Sequence, residues 1–196
     1  MEPIDVTACL VTRGDVQLEP ILATFPPAWR VVVYDNRRQA VDMAVYGRYR
    51  AVIASHSPVV YVQDDDVLVS EPQAIVDALL ELPYEEREET LVANMPAEFR
   101  PHYDGHCLVG FGAAFVRDLP ARVFARWTDE QTYAIGGTEA FFRTCDVVFS
   151  ALAPARLLLD VPKQNLPYAE DENRMYRQTS HVAERARTLS VAKALR

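Results

Sequence analysis

Cysteine is scarce in this chain of 196 residues, and what there is does not pair. Cys9, Cys107 and Cys145 make an odd number, and none stands at metal-site spacing from another. That pattern argues against a disulfide framework or a cysteine-built zinc fold and predicts buried, reduced thiols, as in a cytoplasmic protein. A secretory signal is also missing: Met1 is followed by "EPIDVTACLV", with no basic segment and too short an apolar stretch. No run approaches the ~18 apolar residues of a membrane helix, so no membrane span is expected. Internal repeats and low-complexity segments are absent. Positive charge is in deficit, with 20 Lys and Arg against 28 Asp and Glu, a net of −8. That balance argues against a general nucleic-acid binder, which needs a basic face.

What remains is the composition of an ordinary globular protein, 49% hydrophobic and 24% charged. The length fits one domain, or one domain with a tail. Apolar, β-branched runs at "VTACLVT", "RVVVYD", "PVVYVQ", "TLVANM" and "ARLLLDVP" read as buried strands. Segments of helical spacing lie between them: "VQLEPILATFPPAW", "RRQAVDMAVYGRYRAVIAS", "EPQAIVDALLEL" with Pro72 in its first turn, "ARVFARWTDE" and "GGTEAFFRTCDVVFSALAP". "YEEREE" reads as a solvated charged stretch and the end of the tail as a helix. Continuous apolar strands alternating with helices predict an α/β sheet covered on both faces.

Three successive strands end in polar groups, "TRGD", "YDN" and "QDDD". Ligands of open α/β sheets bind beyond the carboxyl ends of the strands, so these residues are site candidates. Asp64, Asp65 and Asp66 pose the sharpest question, because adjacent half-buried carboxylates repel and lose hydration. A divalent cation such as Mg²⁺ or Mn²⁺ answers it, since these prefer oxygen ligands and share them with substrate phosphates. A solvated acidic turn is the plainer alternative. His102, Asp104 and His106 cluster in "RPHYDGHC" but lack four ligands at zinc spacing.

Taken in order, the strand–helix–strand start, the Asp after the second strand, "YVQDDDVLV", "VGFGAAFVR" and "GGTEAFF" resemble the GT-A glycosyltransferases over roughly residues 5–160. The resemblance implies a single α/β domain of GT-A, Rossmann-like type with a mixed sheet, over residues 1–162. Residues 163–196 would form a tail or helix packing on the active site. It also implies transfer of a sugar from a nucleotide-sugar donor, a UDP-sugar first, to an acceptor hydroxyl, with Mn²⁺ or Mg²⁺ as cofactor. Asp66 and Asp64 would hold the metal, joined by His181 from the tail. Thr12, Arg13, Asp35, Asp64, Asp65 and Arg177 would bind the donor. Glu139 would be the general base of an inverting enzyme, although Ala140 stands where a second carboxylate is commoner. Thr138 is a candidate helix cap. Gly110 and Gly112 would allow close backbone approach near the sugar, and Arg48, Arg50 or Arg174 would meet phosphate or remain solvated.

Two other readings stand beside it. A sugar-phosphate nucleotidyltransferase shares the sheet and the metal carboxylates, but "VTRGDVQLEP" has one glycine where a phosphate loop needs several. A non-enzymatic module binding a cation or a basic partner through the aspartates is the third. The acceptor is open: small stand-alone enzymes of this type include viral transferases acting on hydroxymethylated DNA bases, and a small molecule, glycan or protein fits as well.

Overall fold

The computed structural model describes residues 4–167, 174 and 178–196. In chain order the strands are β1 (Val6–Thr12), β2 (Arg30–Asp35), β3 (Val59–Gln63), β4 (Val67–Val69), β5 (Thr90–Asn94), β6 (Ala113–Val116), β7 (Ala155–Leu159) and β8 (Lys163–Asn165). The helices are α1 (Glu19–Leu22), α2 (Gly47–Ala54), α3 (Pro72–Leu80), α4 (Tyr84–Glu89), α5 (Leu119–Phe124), α6 (Asp129–Ala134), α7 (Thr138–Leu152) and α8 (His181–Lys193). Six strands form one mixed sheet in the order β2-β1-β3-β6-β5-β7, with β6 antiparallel to both neighbours. β4 and β8 form a separate antiparallel ribbon.

The two-residue period of a strand splits the apolar side chains between two cores. Cys9, Val60, Val62, Ala113 and Phe115 face one way, beneath Tyr49 and Val52 of α2 and Val148 and Phe149 of α7. Leu10, Val59, Tyr61, Val92 and Ala114 face the other, beneath Ile75, Val76 and Leu79 of α3. Full burial of a side chain such as Phe115 or Phe149 is worth roughly 1.5–3 kcal/mol. Pro72 opens α3, as the sequence predicts.

Several elements depart from the sequence reading. β2 is an edge strand rather than a buried one, and Val31 and Val33 remain 42% and 40% exposed. A second row of apolar side chains predicts burial only when a neighbour exists on both sides. The segment before β2 is helical only at Glu19–Leu22, and residues 36–46 form two short 3₁₀ turns rather than a helix. "YEEREE" folds as α4, and Arg87 donates to the Leu80 and Leu82 carbonyls at 2.6 and 3.1 Å, satisfying the end of α3. Thr138 is not a cap, because Gly137, at φ +97°, holds that position. All three thiols are free and buried, and burial pushes Cys9 and Cys107 up to about 12.

Candidate active site

β1, β2 and β3 run in the same direction, with Thr12 level with Asp35 and Leu10 level with Gln63. Their polar ends therefore emerge at one edge of the sheet. From β1 the chain goes to β2 on one side and returns to β3 on the other. Strand order reverses between β1 and β3, where an open α/β sheet leaves a crevice. A cavity of about 820 Å³ opens there, and its wall includes Thr12, Arg13, Asp64, Asp65, Asp66 and Arg174.

The three aspartates have different surroundings. Asp64 is ion-paired with Arg48 of α2, a side chain with no solvent exposure at all. Burial raises Asp64 and Arg48 pulls it back down. Asp65 accepts from Arg174 Nη1 at 2.7 Å and from the Arg13 backbone N–H at 3.3 Å, which ties β3 to β1 across the crevice. The Asp66 carboxylate pairs with Arg174 Nε at 3.8 Å and also feels the Lys163 ammonium. Burial, and then the negative charge of Asp64, push it up to about 7. The backbone holds the run from both ends: Asp64 N–H donates to the Gly110 carbonyl, and Leu166 N–H donates to the Asp66 carbonyl, both at 2.8 Å.

Gly110 is required by this geometry. A Cβ at that position would overlap the Asp64 carboxylate. Asn94, fully buried at the end of β5, fixes the same loop: its Nδ2 donates to the Phe111 and Val161 carbonyls, each at 3.0 Å.

No protein-family model matches the chain, and no curated protein matches it in sequence. Solved structures do match in shape. The mannosyltransferase PcManGT from Pyrobaculum calidifontis, solved with GDP-Man and Mn²⁺, superposes with a TM-score of 0.54 at 14% identity, over 98% of this chain and 76% of that one. TarS 1–349 from S. aureus with UDP gives 0.53 at 11% identity, over 96% of this chain and 65% of that one. Glucosyl-3-phosphoglycerate synthase from Mycobacterium tuberculosis gives 0.51 at 12% identity, over 97% and 80%. This chain spans 35% of the longer TarS chain. It has the GT-A fold. At these identities the likeness concerns architecture, and the residues must be read from the site itself.

In this GT-A fold, Thr12, Arg13, Asp64, Asp65, Asp66 and His181 line the cavity. Thr12 Oγ1 accepts the Gly14 N–H at 2.8 Å, shaping the turn after β1. Asp35 is not in the cavity wall. Its carboxylate accepts the Arg37 N–H at 3.0 Å and pairs with Arg38 at 3.2 Å, capping a 3₁₀ turn. Its neighbour Asn36 reaches the wall instead, with both side-chain polar atoms occupied by Met43 and Ala44. Glu139 is also not brought to the cavity. It lies in the first turn of α7 with its side chain 91% exposed, and its nearest cation is Arg143 at 4.0 Å. Arg143, one turn further along α7, does line the cavity.

His181 is buried in the wall, but the charges bearing on it are those of Arg185, Asp146, Glu184 and Arg143 rather than the aspartate run. Among the described residues, no three His, Cys, Asp or Glu side chains converge at metal-binding distance. A three-residue set of Asp64, Asp66 and His181 is therefore not assembled, and neither is a zinc site at His102, Asp104 and His106. Asp104 is instead an exposed partner of Lys193 at 2.8 Å. Arg50 is exposed, and Arg177 lies outside the described residues.

Asp146 and Arg185 carry little sequence signal. An Asp inside an apolar helix reads as a surface charge. Their pairing across α7 and α8 is visible only in three dimensions.

Proposed function

We propose that the protein is a glycosyltransferase that moves a sugar from a nucleotide-sugar donor, with UDP-sugars the first class to test, to an acceptor hydroxyl. The observation that carries this reading is the aspartate run at the strand-order reversal of a GT-A sheet, opening on a cavity of about 820 Å³. That volume is near the top of the range for small-molecule sites, ~300–1,000 Å³. The solved structures of the same fold include complexes with UDP, UDP-GlcNAc and GDP-Man.

In this reading Thr12 and Arg13 form the nucleoside edge. Arg174 and Lys163, both in the wall, stand beside Asp65 and Asp66 to meet the diphosphate. Asp64, clamped by Arg48, is oriented rather than free and suits a hydrogen bond from ribose or from bound water. Asp66 is the carboxylate whose charge is least matched, so it fits a divalent cation. With no three-residue ligand set among the described residues, the fit is to an ion shared between Asp66, water and the donor's own phosphates rather than to an all-protein cage. Such an ion would supply charge stabilisation of the leaving nucleoside diphosphate. The chain's own contribution is positioning: Arg48, Gly110 and Asn94 hold the aspartates, and Arg174 brings the tail onto them. No acceptor-deprotonating carboxylate is assigned, because Glu139 points to solvent. The nucleotidyltransferase reading has no glycine-rich loop to support it.

The test is calorimetry of UDP, GDP and other nucleoside diphosphates, with and without Mn²⁺, on the intact protein and on Asp66→Ala. Metal-dependent binding of one nucleotide, weakened at least ~10-fold in the variant, is the expected result. No binding of any nucleotide with any metal would sink the reading.

A further inference from the structure

The cavity contains a second group of polar side chains that the donor site does not use. Tyr103, His106, Asp146, His181 and Arg185 all line it, where α7, α8 and the loop before β6 meet. Arg185 Nη1 donates to Asp146 at 3.1 and 3.4 Å, while its Nη2 is buried with no hydrogen-bond partner among the described residues. His181 is 9% exposed, and its Nδ1 has no partner either; the same holds for Nδ1 of His106. Buried polar atoms without partners are uncommon in folded proteins, so three in one cavity wall call for a ligand.

The chemistry of that ligand follows from the charges. Burial and the nearby Arg185 guanidinium lower both imidazoles, against the Asp146 carboxylate, which raises them. A guanidinium beside two imidazoles repels a cation and presents hydrogen-bond donors. His181 also opens α8, a helix of 13 residues whose N-terminus favours negative charge. Arg143, a further cation in the wall, is occupied by Glu184 at 3.0 and 3.2 Å. The donor's diphosphate is already served by Arg174 and Lys163 at the aspartate run, so a second anion is implied.

We propose that Arg185, His181 and His106 form an anion subsite, and that the acceptor is a small hydroxyl compound carrying a phosphate or carboxylate that docks there. Calling this ligand the acceptor rests on the glycosyltransferase reading; the anion site itself does not. The group holds the anion beside the donor, so that the acceptor hydroxyl is presented to the sugar with little freedom left to lose.

The test is histidine side-chain NMR of the full chain, saturated with UDP and Mg²⁺ to fill the donor end, during titration with inorganic phosphate and, separately, acetate. UDP binding is measured by calorimetry on the same samples. The His106 and His181 ring resonances are expected to move together and saturate, with half-saturation at about 1–10 mM for the better of the two anions. Which anion is tighter distinguishes a phosphate from a carboxylate acceptor. Arg185→Gln should weaken the response at least ~10-fold. If that variant does not fold because Asp146 is left unpaired, the double variant Asp146→Asn/Arg185→Gln removes both charges together. The exposed Glu139→Gln serves as control and should leave the titration unchanged. Resonances that stay still, that move without saturating, or that respond only when UDP is absent would overturn the subsite. So would an unaltered half-saturation in the Arg185 variant. UDP binding without an anion response overturns the subsite alone. A saturable anion response without binding of any nucleotide overturns the glycosyltransferase reading and leaves the anion site standing.

Discussion

Asp66 carries the least compensated charge in the cavity, and this has a consequence for stability as well as for binding. Its carboxyl titrates at about 7 in the folded chain, against ~3.9 when unfolded. The folded state therefore holds a proton more tightly than the unfolded state between about pH 4 and 7. Stability of the metal-free protein falls as pH rises through that window and is flat above it. Asp66→Asn removes the penalty. In chelator it should stabilise the protein by roughly 1–3 kcal/mol at pH 8, less than the full shift converts to because Arg174 is close. At pH 5 Asp66 is protonated in the folded state but ionised in the unfolded one, so only about a third of the gain should remain, and it should vanish below about pH 4. Denaturant melts at the two pH values check this, and an equal gain at both would contradict it. At the same scale Asp65 was read as a donor contact and is found between Arg174 and the Arg13 N–H. The carboxylate run itself was plain in the sequence, but which cation each member meets was not, since that depends on how the elements dock.

At the scale of elements, the loop between β5 and β6 decides how the aspartates sit. Gly110 lies against the Asp64 carboxylate, and its carbonyl accepts the Asp64 N–H. Gly110→Ala forces that carboxylate, or the loop, to move and strains the contact with Arg48. The variant should lose at least ~10-fold in nucleotide affinity, with a destabilisation of about 1–3 kcal/mol typical of overpacking. Calorimetry and denaturant melts read the two effects separately; unchanged affinity would mean that Asp64 has no part in donor binding. The value of this glycine was anticipated as close approach to a sugar. The structure assigns it to close approach of the chain to itself. α7 shows the same limit: its apolar face was legible from helical spacing, yet whether Glu139 or Arg143, one turn apart on the same face, reached the cavity depended on where along its axis the helix docks.

At the scale of the molecule, a ligand that binds only the folded state raises its stability by RT ln(1 + [L]/Kd). UDP at 100 times its Kd with Mn²⁺ should add ~2.7 kcal/mol, which for a chain of this size is a rise in melting temperature of about 5–10 °C. Removing the metal with EDTA should abolish most of that rise, as measured by differential scanning fluorimetry; a rise insensitive to EDTA would mean that the cations of the wall hold the diphosphate unaided. No helix among the described residues is long and apolar enough to cross a membrane.

Read alone, the sequence was enough for the alternation of strands and helices, a sheet covered on both faces and the polar ends of β1, β2 and β3. Those are local patterns, since apolar periods of 2 and 3.6 act over a few residues. Burial at the edge of the sheet and the exposure of Glu139 were decided by packing. So were the ion pairs that organise the site. Arg48 meets Asp64 across 16 residues of sequence, Arg185 meets Asp146 across 39, and Arg174 meets Asp65 across 109. A charge has no period, and its partner is fixed only when the elements carrying both have docked.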